Sequence, residues 1–98
     1  MTLAEQMLNI GCEVSRANRW KKKGNLEQCH RAADRALELI SLTIDAQRGK
    51  HYIGEFCRMY EVVADFYYGD NIYQTDPDRL QRSFDIFYAT RKKEQAIE

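Results

Sequence analysis

Few side chains in this sequence carry reactive chemistry, and their spacing decides what they can do. His30 and His51 fall on different helical stretches, near opposite ends of the bundle expected below, which leaves each without the other as a metal partner. Cys29 is adjacent to His30, and neighbouring side chains on a helix diverge. A di-iron bundle needs Glu-x-x-His on two helices; Glu27 and His30 supply that step once. Nucleophilic triads, glycine-rich phosphate loops and paired catalytic carboxylates have no match. The expectation is therefore no catalytic residue, no metal, no cofactor and no small-molecule substrate.

A denser cluster is basic. Arg16, Arg19, Lys21, Lys22 and Lys23 place five cations within eight residues, with Trp20 among them. Lysine and arginine neutralise phosphates and an indole stacks on a base, so the cluster reads as a surface for nucleic acid or a partner. His30 and Arg31, one to two turns into the next helix, extend it. Two plainer readings compete. Cations at a helix C-terminus are favoured by the macrodipole, with Trp20 covering the bundle end. Alternatively, the cluster pairs with Asp65, Asp70, Asp76 and Asp78, which an up-down-up-down bundle brings to the same end.

The second candidate is aromatic. Tyr52, Tyr60, Tyr67, Tyr68 and Tyr73, with Phe56 and Phe66, exceed what one helix face buries. Large amphipathic rings are enriched where two surfaces meet. Most of them must be core in so small a domain, and the surplus among Tyr52, Phe66, Tyr67, Tyr68 and Tyr73 is the expected subunit interface of a homo-oligomer.

Helical periodicity positions both clusters. The first helix is expected over Leu3 to Lys23, opened by a Thr2/Glu5 capping box and striped by Leu3, Met7, Ile10, Val14 and Ala17. Gly11 interrupts its interior, as close contact with a neighbour would require. Gly24 ends it and Asn25 caps the next helix, which runs to Ala46 with Leu26, Cys29, Ala33, Ala36, Ile40 and Ile44 on one stripe. Gln28 completes a capping box and Gly49 supplies a left-handed stop. A connection this short makes an antiparallel hairpin.

A third helix, expected over Lys50 to Tyr68, carries two apolar stripes and is placed centrally. Ile72 and Tyr73 are expected to tuck the following loop onto the bundle end. Asp76-Pro77-Asp78 opens a fourth helix, with Leu80, Phe84, Phe87 and Tyr88 inward and fraying through Arg91-Lys92-Lys93. Residues 1–98 thus read as a single all-α domain, an antiparallel up-down-up-down four-helix bundle.

Composition narrows the setting. Fifteen acidic and fifteen basic residues cancel, so binding to a polyanion must come from a local patch rather than a global field. Three widely spaced cysteines fit reduced thiols better than a disulfide framework. With no signal-peptide pattern and no apolar run of membrane-spanning length, the expected location is the cytoplasm, without membrane contact.

Two resemblances attach to particular residues. Gly24-Asn25-Leu26-Glu27-Gln28-Cys29, continued by Ala33, Ala36, Leu37, Glu38 and Leu39, looks like the second helix of a tetratricopeptide repeat, which would imply a protein-binding adaptor. Over residues 7–69, Ser15-Arg16-Ala17-Asn18-Arg19, the basic run and Leu26-Glu27-Gln28 are similar to a four-helix family. It comprises the intervening-sequence ribosomal proteins and the accessory variability proteins of diversity-generating retroelements. That resemblance implies a ring-forming homo-oligomer that binds nucleic acid and a reverse transcriptase, with Arg16, Arg19, Lys21, Lys22 and Lys23 in the binding role.

Overall fold

The structure, a computed structural model, describes residues 2–97, apart from the side chains at 91, 92 and 94–97. Four helices make up its regular structure, and no strand occurs among the described residues: α1 (Leu3–Lys22), α2 (Leu26–Ala46), α3 (Ile53–Tyr68) and α4 (Pro77–Ile97). No helix among these residues is long and apolar enough to cross a membrane.

The helix starts follow local chemistry. Thr2 and Glu5 form the reciprocal capping box, which satisfies two otherwise orphaned amides. Asn25 accepts from the Gln28 amide at 3.1 Å, one half of the box expected there. Asp76 accepts from the Arg79 amide at 2.8 Å, with Pro77 as the first helical residue.

Several boundaries differ from expectation. Helix α3 begins at Ile53 rather than Lys50, because residues 47–52 turn and Gly49 is left-handed at φ 74°. Helix α4 continues to Ile97 instead of fraying at Arg91 to Lys93. Ile72 is 75% exposed, so it does not pin the α3–α4 loop; polar side chains do that instead. The Asp65 carboxylate accepts from the Ile72 and Tyr73 amides, and Asn71 clamps Thr75 by donating to its carbonyl and accepting from its amide.

One core draws on all four helices, centred on Met7, Ile10, Val14, Ile40, Phe56 and Val63, with Leu80 and Phe84 from α4. Close approach of helix backbones is confined, among the described residues, to α1 with α2, α1 with α4 and α2 with α3. Helices α1 and α2 therefore occupy the centre, not α3. The cause is side-chain size: Ala17, Ala32, Ala33 and Ala36 are buried in α1 and α2 and allow a short interaxial distance. Rings bridge α3 and α4 without close backbone approach: Phe87 lies edge-on to Phe56 of α3 and to Tyr52 just before it, at 5.4 and 6.2 Å between centroids.

One buried polar group ties three helices together. Asn18 of α1 accepts from the Tyr67 hydroxyl of α3 and donates to the Pro77 carbonyl at the start of α4, at 3.3 Å. Both side chains are nearly inaccessible, so each is the other's required partner.

Candidate functional site

The basic cluster sits where α1 ends and turns into α2. Gly24 takes φ 78°, a left-handed value that a Cβ would strain. The turn satisfies the last carbonyls of α1: the amides of Lys23, Gly24 and Asn25 donate to Arg19, Lys21 and Trp20. This holds the last turn and a half of α1 rigidly against the first turn of α2, so the cations project from a fixed frame.

The individual cations then separate into two groups. Arg16 is bound to Glu13 at 2.8 Å and Arg31 to Glu27 at 3.3 Å, both local pairs one turn apart. Lys21, exposed, lies over the Phe66 ring at 4.0 Å, and its charge partly offsets the burial that pushes the Cys29 thiol upward. Arg19 and Lys22 have no ion pair among the described residues, and Lys23 rests its ammonium on the Trp20 ring at 5.1 Å.

These groups border two shallow niches. One, of about 380 Å³, is lined by Arg16, Arg19, Trp20, Lys23 and Gln28. The other, of about 130 Å³, has Arg19 and Lys22 facing Asp78 and the start of α4. The expected neutralisation by four aspartates is otherwise not realised. Asp65 and Asp76 are engaged as caps, and among the described residues no patch cation forms an ion pair with Asp70 or Asp78. Net charge zero thus coexists with a cationic end, because the chain's acids are used locally elsewhere.

The aromatic candidates divide by burial. Phe66 and Tyr67 lie in the core of the single chain, at 7% and 8% exposure, and Tyr52 is half-buried. Those positions are explained within one subunit. Tyr60, Tyr68 and Tyr73 remain at the surface. Tyr68 packs on His30 at 4.7 Å between rings, while its hydroxyl donates to the Asp34 carboxylate and lies 3.1 Å from the His30 carbonyl. Partial burial, then this hydrogen bond and the charge of Asp34, push its phenol up to about 12. His30 therefore belongs to the α2–α3 contact rather than to the basic niche. Tyr73 donates to Glu61 at 3.1 Å, and that bond raises its phenol as well.

A further concavity is one that periodicity does not announce. Because α3 and α4 do not approach at the backbone, a groove of about 380 Å³ opens between them. Met59, Val62, Leu80, Phe84 and Phe87 contribute its apolar surface, and Arg58 and Arg79 its cations. Its existence depends on interaxial spacing, which a single-helix pattern does not carry. Gln28 in the basic niche is a similar omission: its sequence signal is a capping position, and only the turn geometry brings its side chain beside Trp20.

Among the described residues no three His, Cys, Asp or Glu side chains gather to hold a metal ion. Comparison with known proteins gives no match: no family model, curated protein or solved structure is similar to this chain.

Proposed function

We propose that this chain is a non-enzymatic accessory protein that contacts nucleic acid, or an enzyme acting on it such as a reverse transcriptase, through the basic end of the α1–α2 hairpin. The observation that carries the reading is the state of the cations there. Among the described residues Arg19 and Lys22 form no ion pair and Lys23 rests on a ring, on a rigid turn beside a half-buried tryptophan. Local ion pairs absorb Arg16, Arg31, Arg35 and Arg48 instead. Helix contacts are consistent with a bundle, for which an up-down-up-down order is our reading, and the exposed Tyr60, Tyr68 and Tyr73 would serve it as a surface for self-association.

The test is charge reversal at Arg19, Lys22 and Lys23 together, leaving Lys21 in its contact with Phe66. Fluorescence anisotropy of a labelled oligonucleotide should show binding lost in the triple variant, with unchanged helical circular dichroism. For the parent protein, log K should fall linearly with log salt, by about 0.7 to 0.9 for each phosphate neutralised. Binding that survives the reversal, or ignores salt, refutes the proposal.

A second reading has its own observation, the open α3–α4 groove. A protein-binding adaptor would use that apolar surface, and the triple charge reversal would leave its partner bound.

A further inference from the structure

We infer that the basic end selects single-stranded over double-stranded nucleic acid, with the Trp20 indole as a platform on which one base stacks. This rests on the proposed contact with nucleic acid and adds the form of polymer it takes.

Trp20 stands in the last turn of α1, half-buried and packed against the core. Its remaining surface borders the niche shared with Arg16, Arg19, Lys23 and Gln28. A ring anchored this way cannot rotate freely, so its exposed surface is a prepared partner for a flat ligand. Arg16, Arg19 and Lys23 recur at three- and four-residue steps and form a row about 10 Å long beside it, in which Arg16 is held by Glu13 while Arg19 and Lys23 form no ion pair among the described residues. That length follows a few nucleotides of one strand and is too short to track a duplex groove. In a duplex the base faces are already stacked, and exposing one to an indole requires unstacking. A single strand offers the same face without that cost, so stacking adds to affinity only for the single strand.

Two details fit the assignment. The Lys23 ammonium, 5.1 Å from the Trp20 ring, covers a face that a base would take. Displaced on its flexible stem, it stays close enough to meet the adjoining phosphate. The Gln28 carboxamide, on the α2 wall of the niche, supplies both a donor and an acceptor for a base edge.

Trp20 is the only tryptophan in the chain, so its emission reports on this site alone. The experiment titrates the full chain with oligo-dT of about twelve nucleotides, an abasic strand of equal charge and a duplex of equal length. Trp20 fluorescence and anisotropy of the labelled strands are read in parallel at low and moderate salt. We expect oligo-dT to quench Trp20 and to bind about ten-fold tighter than either the abasic strand or the duplex. Trp20→Ala should erase that ten-fold margin, whereas Trp20→Phe, which keeps an aromatic face and the packing, should retain most of it. Salt-dependent binding of all three ligands with equal affinity, or without quenching, overturns the stacking platform and leaves the basic contact standing. No salt-dependent binding of any ligand overturns both.

Discussion

The α1–α2 pair and the α3–α4 pair are built from similar helix lengths yet end up as opposites. The first pair is joined by three residues, Lys23 to Asn25, and closes tightly over small buried residues. The second is joined by eight residues, Gly69 to Asp76, meets through rings without close backbone approach and leaves an open groove. Side-chain size at the seam is the variable that differs. Alanines in α1 and α2 permit backbone contact, while Phe56 and Phe87 act as spacers between α3 and α4. Closure on one side also fixes the turn that presents the basic cluster. Openness on the other leaves an unfilled groove.

Equal enlargements on the two sides should therefore have unequal costs. Ala33 is fully buried in α2, and Ala33→Leu overpacks the closed seam, at about 1–3 kcal/mol. Ser83 is exposed and lines the groove, and its hydroxyl bonds only to the Arg79 carbonyl of its own helix. Ser83→Leu should change stability by no more than about 0.5 kcal/mol. Urea unfolding of the two variants measures both. Similar losses would mean that the groove is not open in solution and that the contrast between the pairs is false.

Legibility followed the same division. Thr2, Asn25 and Asp76 act through residues three positions away, so the starts of α1, α2 and α4 could be read from the sequence alone. The stripe of α1 was legible because a period of three and four residues maps onto one face. Which helices pair was not, since that depends on seam volumes summed over two segments; placing α3 at the centre mistook aromatic breadth for backbone contact. Leu26 shows a related limit: it falls on the stripe of α2 but is 58% exposed, whereas Cys29 in the same turn is buried. Among the site residues, the cations were legible as a cluster, but their division into paired and unpaired was not. Arg16 has Glu13 one turn away and uses it, whereas Arg58 has Glu55 and Glu61 at the same spacing and forms no ion pair with either among the described residues.

The contact between Tyr67 and Asn18 sharpens the comparison, because it is where α3 is tied to α1 despite its distance from α4. Tyr67→Phe leaves Asn18 buried without its donor and should cost about 1–3 kcal/mol at neutral pH. Burial raises the Tyr67 phenol above its ordinary value of 10.0, with the nearby Cys29 adding to the effect. In the unfolded chain the phenol ionises near 10, while in the folded chain it stays protonated. Its contribution is therefore complete below that pH and is lost as pH rises beyond it. Denaturation midpoints should fall between pH 9 and 11 in the parent. The fall should be smaller in Tyr67→Phe, with Tyr68, Tyr73 and Cys29 supplying the remainder. Equal slopes for the two proteins would remove Tyr67 from the account.

The smallest effect tests how closed the central side is where α4 meets α1. Gly11 lies in the interior of α1, and the expectation from sequence was that close contact forbids a side chain there. The geometry is more permissive. A Cβ at this position would sit 3.8 Å from the Phe84 Cβ and 4.0 Å from the Gln81 Nε2, both ordinary contact distances. Alanine also lowers the backbone entropy of the unfolded chain and has the better helix propensity. Gly11→Ala should thus stabilise the protein by about 0.5–1 kcal/mol, raising the denaturant midpoint without changing the slope of the transition. A destabilised variant would show that α4 packs nearer to α1 than this spacing allows. The groove would then have to be wider, because α4 would stand correspondingly farther from α3.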